Sequence, residues 1–250
     1  MNCTWKSTSQ CLKLFKAIQH SNTMINMMFG PSGVSIMSMD TSKISLVSLI
    51  LTPASLESFV CEQPMVFGIY TETLSIVLQK AKKATLHWKA SNDGSLTIVL
   101  QEQDFKTEFT MRSIVIDDDY LEIPDMQDDV AFEVGTTVVQ DWTSKVLMAN
   151  SDVAFDIVQQ QFVCSSESIE LGEIKHTEPI NGERIRLSSF KEQVNIVLSF
   201  NATKSLAIFA SAGGDTCFVG FSNQQPSRIQ VNLGEGSTLC LYVAPKILDD

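Results

Sequence analysis

The chain has 250 residues, a formal charge of −11 and 44% apolar residues, enough for a full core in one large domain or two of ordinary size. The N-terminus, MNCTWKSTSQ, lacks the apolar run of a signal peptide, and no stretch approaches the ~18 apolar residues of a membrane span. The six cysteines and three histidines are scattered without zinc-like spacing, so the expectation is an intracellular, soluble chain with reduced, buried thiols and no metal or other cofactor.

Taken in order, the first helix is predicted over 8–20, where Cys11, Leu14, Phe15 and Ile18 recur at i, i+3, i+4 and i+7. Lys13, Lys16 and His20 form a separate stripe. The turn Gly30-Pro31-Ser32-Gly33 precedes β-rich runs at 34–38, 44–51 and 58–62. A second helix over 71–84 buries Leu74, Val77, Leu78 and Ala81 and sets Lys80 and Lys83 on one stripe. Runs at 85–90 and 95–101 flank Asn92-Asp93-Gly94, a hairpin signal, and a longer run covers 105–116.

The segment 117–129, DDDYLEIPDMQDD, holds seven acids in thirteen residues, and Pro124 forbids a helix interior there. It reads as an exposed crossover strap. Tyr120, Leu121, Ile123 and Met126 give it more apolar surface than a plain linker carries. Beyond it come a run at 130–134 and a third helix over 136–149 facing inward with Val139, Trp142, Val146 and Ala149. Further runs follow at 168–176, 183–189 and 194–200, then a weaker fourth helix over 201–212 with Leu206 and Phe209. Runs at 216–221, 228–233 and 238–243 close the chain. The third helix begins about 128 residues after the first, and the fourth about 130 after the second. That spacing predicts a tandem repeat of one α+β domain, 1–116 and 130–250, joined by the loop 117–129.

Charge is sorted along this pattern. The four helical segments hold seven lysines (Lys13, Lys16, Lys80, Lys82, Lys83, Lys145, Lys204) and two acids (Glu72, Asp141), a sum of +5 that leaves −16 for the rest. Ordinary exposed helices mix signs, so lysine-rich helices in an acidic protein point to one face for a polyanion. The density suits loose phosphate contact. It does not suit sequence reading, since arginine occurs only at 112, 184, 186 and 228 and there is no helix-turn-helix or zinc finger. No P-loop, G-x-S-x-G or H-E-x-x-H motif is present, so catalysis is not expected.

Specific strings carry a resemblance. Ser32-Gly33-Val34-Ser35-Ile36-Met37-Ser38-Met39-Asp40-Thr41-Ser42-Lys43-Ile44-Ser45-Leu46-Val47 resembles the SGV…SMD…LV stretch of the proliferating cell nuclear antigen family, the eukaryotic-type DNA sliding clamps. Leu241-Tyr242-Val243-Ala244-Pro245-Lys246-Ile247 resembles that family's closing YLAPK strand, and Phe59-Val60-Cys61 with Met65-Val66-Phe67-Gly68-Ile69 its strand into the second helix. Residues 117–125 resemble its interdomain connecting loop. The third and fourth helices carry one lysine each, fewer basic residues than cellular members show, which implies a divergent member, viral or protist.

The resemblance implies two similar clamp domains per subunit and a head-to-tail trimeric ring. Lys13, Lys16, His20, Lys80, Lys83, Lys145 and Lys204 would face double-stranded DNA in its hole. It implies a pocket for short peptide motifs of DNA polymerase and other partners, formed by Met39, Ile44, Leu46, Leu121, Ile123, Tyr242, Ala244 and Pro245. It implies subunit pairing through a strand at 105–113 (Phe105, Thr107, Phe109, Met111) and one near 169–177 (Ile169, Leu171, Ile174). A clamp loader, no membrane, and a nuclear or viral replication site complete the expectation. Two alternatives stay open: a subunit of a heterotrimeric checkpoint-type clamp, and a monomeric polymerase accessory factor gripping DNA from one side.

Overall fold

The structure is a computed structural model that describes residues 1–81, 84–117, 123, 126–180 and 182–247. The first half of the chain runs β1 (Asn2–Thr4), α1 (Thr8–Ser21), β2 (Met24–Gly30), β3 (Gly33–Met39), β4 (Ser45–Leu51), β5 (Ser58–Val60), β6 (Met65–Tyr70), α2 (Thr71–Gln79), β7 (Thr85–Ser91), β8 (Ser95–Gln101) and β9 (Lys106–Arg112). The second half runs β10 (Val130–Gly135), α3 (Thr136–Val146), β11 (Val153–Val158), β12 (Gln161–Ser168), β13 (Gly172–Pro179), β14 (Ile185–Phe190), β15 (Val194–Leu198), α4 (Phe200–Ala210), β16 (Thr216–Phe221), β17 (Ser227–Gly234) and β18 (Ser237–Val243). The same order occurs twice: strand, helix, five strands, helix, three strands.

Two compact units result. One comprises Met1–Thr41, Val47–Leu121 and Asn232–Leu239, the other Ser42–Leu46, Glu122–Val231 and Cys240–Asp250. In the first unit, β5-β1-β7-β8-β9 form an antiparallel sheet, and β4-β3-β2-β6 are successive neighbours. In the second, β13-β12-β11-β15 form one antiparallel sheet, and β14-β10-β16-β17 are successive neighbours.

Alternation drives the strands. Leu96, Ile98 and Leu100 of β8 point inward beside Leu86, Trp88 and Ala90 of β7. Asn92-Asp93-Gly94 joins them as predicted: Gly94 has φ +76, and Asp93 Oδ1 accepts the Ser95 N–H at 3.0 Å. Gly33, at φ +124 in the β2–β3 turn, has no room for a side chain, because a Cβ there would lie 1.9 Å from the Leu51 carbonyl oxygen.

The helices bury the predicted faces: Cys11, Leu14, Phe15 and Ile18 on α1; Leu74, Val77 and Leu78 on α2; Val139, Trp142 and Val146 on α3; Leu206 and Phe209 on α4. Within the units, α1 packs against α2 and α3 against α4. The second helix stops at Gln79, short of the expected 84, and Lys80 is its C-cap. The third ends in a 3-10 turn, Leu147–Ala149, closed by Asn150 at φ +52. Strands β1, β2 and β11 were not expected. β2, MINMMFG, has only one β-branched residue, Ile25, among three methionines, and β1 is three residues long.

Aromatic rings fill both cores. Trp5, Phe15 and Trp88 meet at centroid distances of 5.3–6.2 Å in the first unit. Phe162 meets Trp142, Phe132, Phe155 and Phe221 in the second, Trp142 at 4.2 Å. All six cysteines are free and buried. Burial pushes the thiols of Cys3, Cys164 and Cys217 up to about 12 and that of Cys11 well above its usual range.

Candidate DNA-facing helices, peptide pocket and sheet edges

On α1, Ser7 caps the N-terminus by accepting the Gln10 N–H at 3.2 Å, and inward packing of the apolar face turns Lys13, Lys16 and His20 outward, all exposed. Lys80 is exposed at the end of α2, one residue beyond the last helical one. Lys83 lies outside the described residues. In the second unit, Lys204 is exposed on α4 and Lys145 on α3.

Lys145 differs from the others. Its Nζ lies 2.8 Å from Asp141 Oδ2, one turn earlier, and the same oxygen accepts from Arg184 Nη2 at 2.8 Å. Arg184 also sets its Nε 3.2 Å from Oε1 of Glu178, a buried residue of β13. Glu178 Oε2 accepts the Trp142 indole N–H at 2.8 Å and lies 3.4 Å from His176 Nε2. The bond from Lys145, and then that from Arg184, holds the Asp141 carboxyl down at about 2. Sequence reading flagged Asp141 as a charge subtracted from the helix but missed Arg184 and Glu178. They lie some forty residues away, and nothing in the spacing links them.

In the second unit, the Ala244 N–H donates to the Ile44 carbonyl at 2.9 Å and joins two stretches two hundred residues apart. Ile44 is 42% exposed and Leu46, two residues on, is buried, while Tyr242, Ala244 and Pro245 are half-buried. Burial pushes the Tyr242 hydroxyl up to about 12. Lys246 is held at two points, its N–H donating to the Val197 carbonyl at 2.7 Å and its Nζ lying 2.5 Å from Asp152 Oδ2. Ile123 is half-buried, and Leu121 lies outside the described residues. Met39, 37% exposed, ends β3 in the first unit.

The described residues that flank and end the acidic strap, read from the sequence as an exposed crossover, are fastened. In the first unit, Ile114 donates its N–H to the Gly68 carbonyl at 3.0 Å, and Asn26 Nδ2 donates to the Ile116 carbonyl at 3.2 Å. In the second, Asp128 is buried and takes Arg228 Nη2 at 2.6 Å, and its carboxylate occupies the space where a Cβ on Gly220 would stand. Asp129 Oδ2 accepts from Ser222 Oγ at 2.7 Å and the Asn223 N–H at 2.9 Å. An acid-rich composition marks solvation on average, but a carboxylate with an arginine partner can be buried.

β9 and β13 are each a terminal strand of a sheet. β9 pairs with β8 at one margin of the first unit's five-stranded sheet, and β13 with β12 at one margin of the second unit's four-stranded sheet. Phe109 and Met111 of β9 lie on the inward side, opposite Ile98 and Leu96, yet stay half-buried because nothing described covers the margin. Thr107 shares that side, opposite Leu100, and is exposed, as is Phe105 just before the strand. Ile174 is half-buried on β13. Ile169 and Leu171 are exposed but lie in the turn before it: the expected strand from 168 begins only at Gly172, whose φ of +67 ends the turn. Among the described residues no group of three His, Cys, Asp or Glu side chains is arranged to hold a metal ion.

Residues 1–121 match the family model described as proliferating cell nuclear antigen, N-terminal domain. The chain resembles the proliferating cell nuclear antigen family. It is 26% identical over 231 residues to the proliferating cell nuclear antigen of Chaetomium thermophilum, covering 88% of this chain and 87% of that one. It is 25% identical over 244 residues to a probable DNA polymerase sliding clamp 2 of Paramecium bursaria Chlorella virus 1, covering 95% and 88%. The crystal structure of the Entamoeba histolytica proliferating cell nuclear antigen shares its fold, with a TM-score of 0.88 at 18% identity over 98% of each chain. The α+β fold expected from the sequence is therefore that of the family. Identities near a quarter fit the divergence read from the sparse lysines.

Proposed function

We propose that this chain is a DNA sliding clamp, a non-catalytic processivity factor that encircles duplex DNA and tethers DNA polymerase and other replication and repair proteins. One observation carries the reading. An acidic chain, similar over nearly its whole length to proteins named DNA polymerase sliding clamp, exposes lysines on the outward faces of its helices while burying the apolar ones. A closed ring needs no strong grip. Topological linkage replaces affinity, so a few weak phosphate contacts allow sliding without release.

In this reading the chain has two clamp domains, 1–116 and 130–250, with 117–129 as the connecting loop. Three copies close head to tail, the β9 margin of one subunit pairing with the β13 margin of the next. Unpaired margins with half-open apolar residues such as Phe109, Met111 and Ile174 support this, because ring closure removes both edges at once. Ile44, Leu46, Ile123, Tyr242, Ala244 and Pro245 receive the apolar and aromatic residues of short partner peptides, with buried anchors carrying most of the energy. The partners also include a clamp loader, and the site of action is the nucleus or a viral replication site.

Light scattering at micromolar concentration is expected to give the mass of three chains. A monomer would reject the homotrimer and favour a heterotrimeric or one-sided role. In calorimetry with a clamp-binding peptide, Ile123→Ala combined with Tyr242→Ala should abolish binding while leaving the oligomer mass intact. Binding that survives both substitutions would put the pocket elsewhere.

A further inference from the structure

The two helix pairs do not offer the same charge. On α1, Lys13 and Lys16 are exposed, and among the described residues neither has an ion-pair partner. On α3, Lys145 shares Asp141 with Arg184, both at 2.8 Å. An isolated surface pair one helical turn apart would be too weak to occupy a lysine. Here the carboxylate is fixed from a second side. Arg184 is anchored at its other end by Glu178, which is buried and bound in turn by the Trp142 indole. The group Asp141, Glu178, Lys145 and Arg184 has a formal charge of zero, whereas the Lys13–Lys16 stripe has +2.

We infer that Asp141, positioned by Arg184, withholds Lys145 from DNA, so that duplex contact rests on α1 and not on α3. The inference depends on the DNA-clamp reading above and specifies which helices do the work. The physics is that of counterion release. A free lysine that reaches a phosphate displaces a condensed cation from the duplex. A lysine that brings its own carboxylate displaces none and must break a 2.8 Å ion pair to do otherwise. Asp141 stays ionised far below neutral pH, so mild acidity does not lift the restraint.

The test is anisotropy of a labelled short duplex against the intact oligomer over a range of low salt concentrations. Asp141→Asn preserves the shape and an acceptor for Arg184, and should tighten binding by about threefold to tenfold and steepen the log–log salt slope by about one. Lys145→Ala alone should change affinity by less than about twofold, whereas Lys13→Ala with Lys16→Ala should weaken it by about tenfold. Adding Lys145→Ala to Asp141→Asn should return most of the gain, a coupling that a merely structural role for Asp141 would not produce. Melting and oligomer mass are recorded for each variant, and Asp141→Ser serves as the second relief variant. An unchanged affinity and slope in both relief variants overturns the inference. So does a loss in Lys145→Ala as large as that in the Lys13/Lys16 pair, while leaving the clamp reading standing. No effect of any lysine removes the DNA-facing assignment and the inference together.

Discussion

The two units repeat one order of elements yet hold their tryptophans differently. In the second, the Trp142 N–H donates to the buried carboxylate of Glu178, which continues through Arg184 to Asp141 on the helix surface. In the first, Trp5 and Trp88 pack against each other and Phe15, and their N–H groups are buried with no partner among the described residues. The first unit relies on ring packing and tolerates unpaired donors. The second adds a polar chain that joins α3 to the marginal strand β13. The repeated layout therefore fixes the backbone plan but not the means of stabilising it.

The largest expected effect tests the ring packing. Phe162 touches rings on several sides, whereas Phe15 meets Trp5 and Trp88. Phe162→Ala should cost about 4–5 kcal/mol and Phe15→Ala about 3–4 kcal/mol in urea unfolding. A reversed order would mean that the smaller cluster is the more rigid. Next comes the polar chain. Glu178→Ala strands the Trp142 donor and one end of Arg184, and should cost roughly 2–4 kcal/mol. Glu178→Gln keeps an acceptor and should cost about half as much. Equal values for the two would show that charge, not acceptance, is what Trp142 and Arg184 require. The smallest effects concern helix starts. Ser7 and Ser199 cap α1 and α4 with side-chain acceptors, while α2 and α3 start at Tyr70 and Gly135 without one. Ser7→Ala and Ser199→Ala should each lower stability by about 1 kcal/mol, and Gly135→Ser, which meets only ordinary contacts, should raise it by roughly a few tenths. Calorimetric melting resolves both directions.

The sequence revealed much of the fold wherever a period was strong. Cys11, Leu14, Phe15 and Ile18 recur with helical spacing, and the structure buries all four. β11 carries a period of two in Val153, Phe155 and Ile157, all buried, but its six residues are too short a run to stand out from the flanking loops. β2 offered less, because its exposed Met24 and Met28 blur the alternation. The site was legible where one stretch carries it. Lys13 and Lys16 needed only the helix period, whereas the fate of Lys145 depends on Arg184 and Glu178, which chain folding alone brings to it. The strap shows the same limit. Asp128 looks like its acidic neighbours in sequence, and only the position of Arg228 makes it a buried partner.

The silent thiols have a practical consequence. A cysteine that is buried, and whose thiol burial holds well above its usual range, does not react with an alkylating reagent while the fold around it is closed. It reacts when its surroundings breathe. Cys3 and Cys11 sit in the first unit, Cys164 and Cys217 in the second. The unaltered protein thus contains a clock for each half. The order in which these four sulfurs acquire label, read peptide by peptide in a mass spectrometer, reports which half opens first.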